Sequence, residues 1–78
     1  MGNTECGIKV VKAILEDIAA KHVSLPTEYS LKYISERIGC TPQDIGMSFD
    51  SYIKKPLQEN QISATKCGTP RVIMIKKI

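Results

Sequence analysis

Residue types that are typical of enzymes, membrane proteins and disulfide-rich proteins are scarce in this sequence. It has one histidine and three cysteines among 78 residues, and it lacks the run of about 18 apolar residues that a membrane-spanning helix needs. The N-terminal residues show no apolar run of the kind found in a secretory signal. Glycine-rich phosphate loops and paired carboxylates are also missing. We therefore expect no membrane partner, no catalytic residues and no enzymatic activity.

The three cysteines, Cys6, Cys40 and Cys67, are odd in number and widely spaced. A disulfide framework needs an even number, so we expect reduced thiols in a cytoplasmic protein. Zinc ligands usually come in close pairs such as CxxC, so the cysteines and His22 predict no metal site, and no other cofactor is expected. Cys67 follows Lys66 in a predicted exposed turn, which leaves a redox role at this position open.

Positive charge is concentrated in the C-terminal third of the chain. Residues 1–39 carry five basic and five acidic side chains, whereas residues 54–78 carry six basic ones against Glu59 alone. The six are Lys54, Lys55, Lys66, Arg71, Lys76 and Lys77. Two interpretations stay open: a surface that faces phosphate groups, or solvated lysines that protect a strand edge.

Apolar residues at three- and four-residue steps predict a first helix from Ile8 to about Lys21. Residues 1–6 are expected to form a loose N-terminus. The next segment, 24–27, is predicted to be a loop. Residues 28–29 are then predicted to form a short extended segment, and Ser30 is expected to cap the following helix.

Residues 31–53 predict two short helices that meet at a glycine. Leu31, Ile34 and Ile38 recur at helical spacing and end at Gly39, the residue type that most easily adopts a left-handed turn. Small Ser35, four residues earlier, would let the second helix cross close to the first. Cys40 and Ile45 would fill the space between the two helices.

The second of these helices is predicted to begin after Thr41, whose hydroxyl can cap the free amides. Pro42 suits the first helical position, and Asp44 places a negative charge near the positive end of the helix. Pro56 predicts a kink or restart at Lys55, because proline has no amide hydrogen to donate. The predicted apolar stripe consists of Ile45, Phe49, Tyr52 and Ile53.

The C-terminal residues predict a β-hairpin. Asn60 or Gln61 is expected to end the last helix in the left-handed conformation. Residues 62–66 and 71–77 are the two strand candidates, and residues 67–70 form a turn signal between them.

The order helix, short strand, helix, helix and hairpin resembles the winged helix-turn-helix family of DNA-binding domains. The resemblance covers residues 8–78, so we expect one domain, residues 1–78, of the α+β class. It would be a small winged helix: a three-helix bundle with a helix-turn-helix, plus a C-terminal β-hairpin wing. The residues that carry the resemblance are Ser35, Gly39, Cys40 and Ile45 at helix-turn-helix spacing, Leu57 and Ile62 before the hairpin, and the closing strand VIMI.

In that family the outward face of the second motif helix reads base edges, and the wing contacts the sugar-phosphate backbone. The resemblance implies a sequence-preferring protein that binds double-stranded DNA, a small transcriptional or accessory regulator. The residues implied to read bases are Thr41, Gln43, Met47 and Ser51, and those implied to contact phosphates are Lys54, Lys55, Lys66 and Arg71.

Acidic residues on the same helix leave a second interpretation open. Residues 41–53 contain Asp44 and Asp50 but no basic residue, whereas a helix that enters a polyanionic groove is usually more basic. The alternative is a protein–protein interaction module, an adaptor or inhibitor, with a face made of Gln43, Met47, Asp50 and Lys54. A homodimer through the first helix or the last strand is also an open possibility.

Overall fold

Helices cover one face of a three-stranded antiparallel sheet in this α+β domain. The computed structural model describes residues 2–68 and 72–78. In chain order the elements are α1 (Gly2–Ala19), β1 (Thr27–Ser30), α2 (Leu31–Ile38), α3 (Pro42–Ser48), a π-helical segment (Phe49–Lys54), α4 (Lys55–Glu59), β2 (Ile62–Cys67) and β3 (Val72–Lys77). The predicted α+β class and the predicted order of elements are both confirmed.

The first helix begins earlier than predicted. It starts at Gly2 instead of Ile8 and ends at Ala19, so the expected loose N-terminus is wrong for residues 2–6, while Met1 lies outside the described residues. Gly7 is buried inside this helix, and a Cβ atom at that position would overlap with the Cβ atom of Tyr52. The glycine therefore lets α1 cross close to the π-helical segment, which outweighs its low helix propensity.

The turn between α2 and α3 follows the predicted capping pattern. Ser30 accepts a hydrogen bond from the backbone amide of Tyr33 at 3.0 Å, and Gly39 ends α2 in the left-handed conformation with φ of 76°. The Thr41 hydroxyl accepts a hydrogen bond from the backbone amide of Asp44 at 3.1 Å. These local signals are confirmed because each depends only on residues within one helical turn.

A π turn precedes the proline in the third helical segment. Phe49–Lys54 is π-helical, and α4 restarts at Lys55 as predicted, one residue before Pro56. Because a π turn spaces hydrogen bonds five residues apart, it shifts the following residues around the helix relative to α geometry. The predicted place of Tyr52 in the buried stripe is therefore wrong: its residue exposure is 40%, whereas Ile53 is fully buried.

The strand that comes last in the chain lies in the middle of the sheet. The strand order is β1-β3-β2, with Thr27 opposite Ile75 and Ile62 opposite Lys77. Both edges of β3 are thus paired, so the expectation that this strand could offer an exposed edge to a second copy is wrong. Gln61 precedes the hairpin with φ of 63°, as predicted, and residues 69–71 of the predicted turn and strand lie outside the described residues.

The core lies between the helices and the inner face of the sheet. Alternate residues of β2 and β3 point into it, which gives the two-residue periodicity of a half-buried sheet. Its members are Val10, Ile14, Tyr29, Leu31, Ile34, Ile45, Phe49, Ile53, Leu57, Ile62, Ala64, Ile73 and Ile75. This packing holds α3 against α1 and α2 and leaves its other side facing solvent.

Candidate nucleic-acid interface

The residues predicted to read bases are all exposed. Thr41, Gln43, Met47 and Ser51 lie at the surface, and Met47 is 65% exposed, although a methionine would gain free energy from burial. Thr41 already accepts a hydrogen bond at the start of α3, yet its own hydroxyl hydrogen stays free to donate. The surface of α3 therefore combines amide, hydroxyl and apolar groups.

Lys66 lies beside α3. Its ammonium nitrogen is 3.4 Å from the carbonyl oxygen of Gly46 and 5.3 Å from the centre of the Phe49 ring. One ammonium can donate three hydrogen bonds, so an exposed Lys66 can hold this carbonyl and still reach an anion. The structure thus brings the hairpin cation next to the predicted base-reading helix.

The other predicted phosphate contacts are less closely grouped. Lys54 lines a small cavity of about 100 Å³ with Gln58, Ser63 and Ile78, at the base of the hairpin where β2 begins. Lys54 is the last residue of the π-helical segment and is therefore rotated away from the position that α geometry would give it. Lys55 is exposed at the start of α4, and Arg71 lies outside the described residues.

Asp50 interrupts this surface with negative charge. It is exposed in the first turn of the π-helical segment, and among the described residues no cation lies within 4.0 Å of its carboxylate. Asp44 differs, because it sits in the first turn of α3, where a carboxylate is favoured by the helix dipole. Asp50 has no such structural explanation.

Gly46 occupies the middle of α3 without a packing reason. Apart from the helix's own backbone and the chain neighbours, no atom of the described residues lies within 4 Å of a Cβ atom built there. Glycine inside a helix costs roughly 0.5–1 kcal/mol relative to alanine. Gly46 lies directly before Met47. A partner that approaches the α3 backbone closely would explain why a glycine is tolerated here.

Asp17 forms a buried polar centre that the sequence interpretation missed. Its carboxylate accepts hydrogen bonds from Arg37 at 2.8 and 3.0 Å and from the Tyr29 hydroxyl at 2.8 Å. The hydrogen bonds from Arg37 lower the pKa of Asp17 below its ordinary value of 3.8, even though burial acts in the opposite direction. Burial and the bond to Asp17 raise the pKa of Tyr29 above its ordinary value of 10.0. This centre joins α1, β1 and α2.

A detectable signal for this centre was present in the sequence. Asp17 follows Val10 and Ile14 on the same buried stripe of α1, and an acid on an apolar stripe requires a partner. The stripe does not identify that partner, because Arg37 lies 20 residues further along the chain. His22 also approaches, with Nδ1 3.8 Å from Asp17, but its side chain is mostly exposed.

Two of the three cysteines are joined. Cys6 in α1 and Cys40 in the turn before α3 form a disulfide across a sequence separation of 34, so the prediction of reduced thiols is wrong for this pair. Cys67 is a free, half-buried thiol at the end of β2. The early start of α1 brings buried Cys6 to the turn, a contact that the sequence interpretation lost by leaving residues 1–6 loose.

Comparisons with known proteins add no functional assignment. The chain matches no protein-family model, no curated protein and no solved structure. Among the described residues, none of the helices combines the length and the apolar character that crossing a bilayer requires. The function is therefore inferred from the arrangement of the chain's own residues.

Proposed function

We propose that this chain is a winged helix-turn-helix domain that binds double-stranded DNA and acts as a transcriptional or accessory regulator without enzymatic activity. The order of elements and the β1-β3-β2 sheet are compatible with that fold. In this proposal α3 enters the major groove, and the hairpin β2–β3 lies along the adjacent phosphate backbone.

The observation that carries the proposal is the position of Lys66 beside α3. A helix can discriminate bases only if backbone contacts hold it in register, and phosphate contacts serve that purpose. The 3.4 Å contact between Lys66 and the Gly46 carbonyl puts a hairpin cation within one side-chain length of the exposed surface of α3. One duplex could therefore contact both elements at once.

The exposed groups on α3 match base edges chemically. The Gln43 amide can donate and accept in the pattern that an adenine edge requires, and Met47 offers an apolar contact to a thymine methyl group. Thr41 and Ser51 carry hydroxyls, which bond either to bases or to phosphates. Each good base contact is worth about 1–3 kcal/mol of discrimination, so Gln43 and Met47 would supply a preference and not a strict code.

Phosphate binding is assigned to lysines around this surface. Lys54, Lys55 and Lys66 are exposed, and Arg71 is added from the sequence alone. Each neutralised phosphate contributes about 0.9 to the slope of log affinity against log salt on B-DNA. Three or four contacts predict a modest affinity that falls steeply as salt rises.

The decisive experiment is an amide NMR titration of the folded domain with a random-sequence duplex at low salt, followed by fluorescence anisotropy at several salt concentrations. Binding through the proposed surface would shift amide signals in residues 41–54 and around Lys66, and these shifts would collapse at high salt. Lys66→Ala should reduce the salt slope by about 1. A folded spectrum that duplex DNA leaves unchanged would refute DNA binding.

Lys76→Ala is the matched control for Lys66→Ala. Lys76 is exposed on β3, and strand alternation places it on the outer face of the sheet, opposite to the face that carries Lys66. Both variants remove one positive charge from the same sheet. Equal losses of affinity would indicate a response to net charge alone and would contradict a phosphate contact at Lys66.

A second candidate function rests on Asp50 and Met47. Met47 is exposed, and the described residues offer the Asp50 carboxylate no cation within 4.0 Å. Such a surface suits a protein partner better than a polyanion, so the same surface, with Gln43 and Lys54, could dock a protein. Asp50→Lys separates the two candidates. The substitution should strengthen duplex binding if α3 faces DNA, and it should abolish binding of a protein partner that contacts Asp50.

A further inference from the structure

An apolar groove on α1 shares no residue with the proposed DNA surface. It encloses about 530 Å³ and is lined by Ile8, Val11, Lys12, Leu15, Glu16, Ala19, Tyr52 and Pro56. Ile8 is 59% exposed, although it lies in the middle of a long helix where a polar residue would serve folding equally well. Continuous apolar surface with charged residues at its margin is typical of a protein interface.

We propose that this groove is the interface of a two-fold symmetric homodimer in which α1 of one copy packs antiparallel against α1 of another. The six α1 residues that line the groove are placed symmetrically about the midpoint between Ala13 and Ile14. Position 8 mirrors position 19, position 11 mirrors position 16, and position 12 mirrors position 15. A two-fold axis through that midpoint would place each of these positions opposite its mirror position in the second copy, so that both copies use the same patch.

The outermost mirrored positions, 8 and 19, carry side chains of complementary size. Ile8 of one copy would face Ala19 of the second copy, so the most exposed apolar side chain of the groove would meet a small one. Val11 of one copy would lie near Leu15 of the other, close to the two-fold axis. Leu15 is one residue away from position 16, which mirrors position 11. Tyr52 and Pro56 would form the wall along one flank, because Tyr52 already packs against Gly7 of the same chain.

The charges at the margin favour a second copy over an unrelated partner. Lys12 and Glu16 are exposed one helical turn apart on the same side of α1, and among the described residues neither takes part in an ion pair within 4.0 Å. A lysine four residues before a glutamate is the weaker orientation for a pair within one helix. In an antiparallel pair, the side of α1 that carries Lys12 and Glu16 faces the same side of α1 in the second chain. Lys12 of each chain can therefore reach Glu16 of the other.

The interface is small, so the dimer is weak. Only four apolar side chains from α1 and two from the adjoining helical segments line the groove, fewer than the roughly 20–30 residues per partner of a standard stable complex. We expect a dissociation constant of roughly 100 μM, and the experiment must reach protein concentrations of about 1 mM to measure variants that dimerise tenfold more weakly. Low salt is needed because exposed ion pairs are screened.

The test is sedimentation equilibrium of the whole folded chain, in the absence of DNA, with reciprocal charge reversals. Lys12→Glu places two acids on each margin, and Glu16→Lys places two bases, so each variant alone should dimerise at least about tenfold more weakly than the wild type. An equimolar mixture of the two variants should recover a mixed dimer of wild-type affinity. An ion pair within one helix cannot produce that recovery, because each variant chain carries two like charges.

Ile8→Glu supplies an independent test of the apolar contact, with Met74→Glu as its control. Both side chains are large, apolar and exposed, and Met74 lies on β3 outside the groove. Ile8→Glu should abolish dimerisation, and Met74→Glu should leave it unchanged. A wild-type chain that stays monomeric up to about 1 mM, or a mixture of charge variants that associates no better than its components, would overturn the proposal whether or not the chain binds DNA.

Discussion

Arg37 donates two parallel hydrogen bonds to Asp17, from Nη1 to Oδ2 at 2.8 Å and from Nη2 to Oδ1 at 3.0 Å. This fork joins α2 to α1, and the Tyr29 hydroxyl adds a third bond from β1. The pairing exploits the planar guanidinium, whose geometry matches a carboxylate. Three elements, α1, β1 and α2, are thereby fixed to one buried carboxylate.

Arg37→Ala should lower the free energy of unfolding by about 2–3 kcal/mol, because it leaves a buried carboxylate with a single donor. The loss should be smaller than for a fully buried pair, since part of the Arg37 side chain is exposed. Urea denaturation measures it. Lys32→Ala, which removes an exposed charge from the same helix, should cost less than about 0.5 kcal/mol. Equal costs for the two variants would show that the fork contributes nothing.

Acid should destabilise the fold through Asp17. Its folded pKa is held below 3.8 by Arg37, so the unfolded chain binds more protons at low pH and stability falls as pH drops. The contribution is fully present above the ordinary carboxyl pKa and is lost as the pH passes from 3.8 down through the folded value. Asp17→Asn should be less stable at neutral pH and should show a flatter profile below pH 3.8. Parallel profiles for both proteins would contradict this assignment.

Gly7→Ala and Gly46→Ala should change stability in opposite directions. At position 7 the new Cβ atom would overlap with Tyr52 and lie 3.2 Å from its carbonyl oxygen, so α1 must move and the fold should lose about 1–3 kcal/mol. At position 46 the space is open, so alanine should add roughly 0.5–1 kcal/mol. Thermal unfolding of both variants checks the signs.

Gly46→Ala also bears on the proposed function. If a duplex approaches the α3 backbone next to Met47, the added methyl group should weaken DNA binding while the fold becomes more stable. The same variant would then show a higher free energy of unfolding and a lower affinity for DNA. Unchanged affinity in the stabilised variant would show that no partner approaches this part of the helix closely.

Reduction of the Cys6–Cys40 disulfide should cost about 3–4 kcal/mol, since the bond closes a long loop and restricts the unfolded chain. The comparison is best made in a Cys67→Ser background, where denaturation with and without a reductant reports on that bond alone. Cys67→Ser by itself should stay within about 0.5 kcal/mol of the wild type. A reductant that leaves the denaturation midpoint unchanged would contradict a stabilising role for the bond.

Local signals in the sequence predicted much of this fold. Gly39 and Thr41 act within one turn of the chain, so their residue types alone indicated where α2 ends and α3 begins. The position of Tyr52 was wrong because a helical wheel assumes a uniform turn, and the π turn before Pro56 breaks that assumption. Helix boundaries and caps can therefore be predicted from the sequence. Which residues face the core after a π turn cannot be predicted from a helical wheel.

Long-range pairs explain the remaining differences. Asp17 meets Arg37 across 20 residues, and Cys6 meets Cys40 across 34, so neither pair leaves a local pattern. The candidate surface also combines features that local sequence patterns predict with a contact that they do not. Exposure of Gln43 and Met47 followed from periodicity, but the contact between Lys66 and Gly46 depends on how β2 packs against the π-helical segment that follows α3.

The central place of β3 has a consequence for how the chain is made. Ser30 of β1 pairs with Val72, and Thr27 pairs with Ile75, so β1 has no neighbour in the sheet while a ribosome is still synthesising the residues between them. Both sheet pairings become available only when β3 emerges, and the β1–β3 pairing forms slowly because its strands are far apart in sequence. A nascent chain should therefore expose both edge strands until β3 has been translated, and this interval is when it would most need a chaperone.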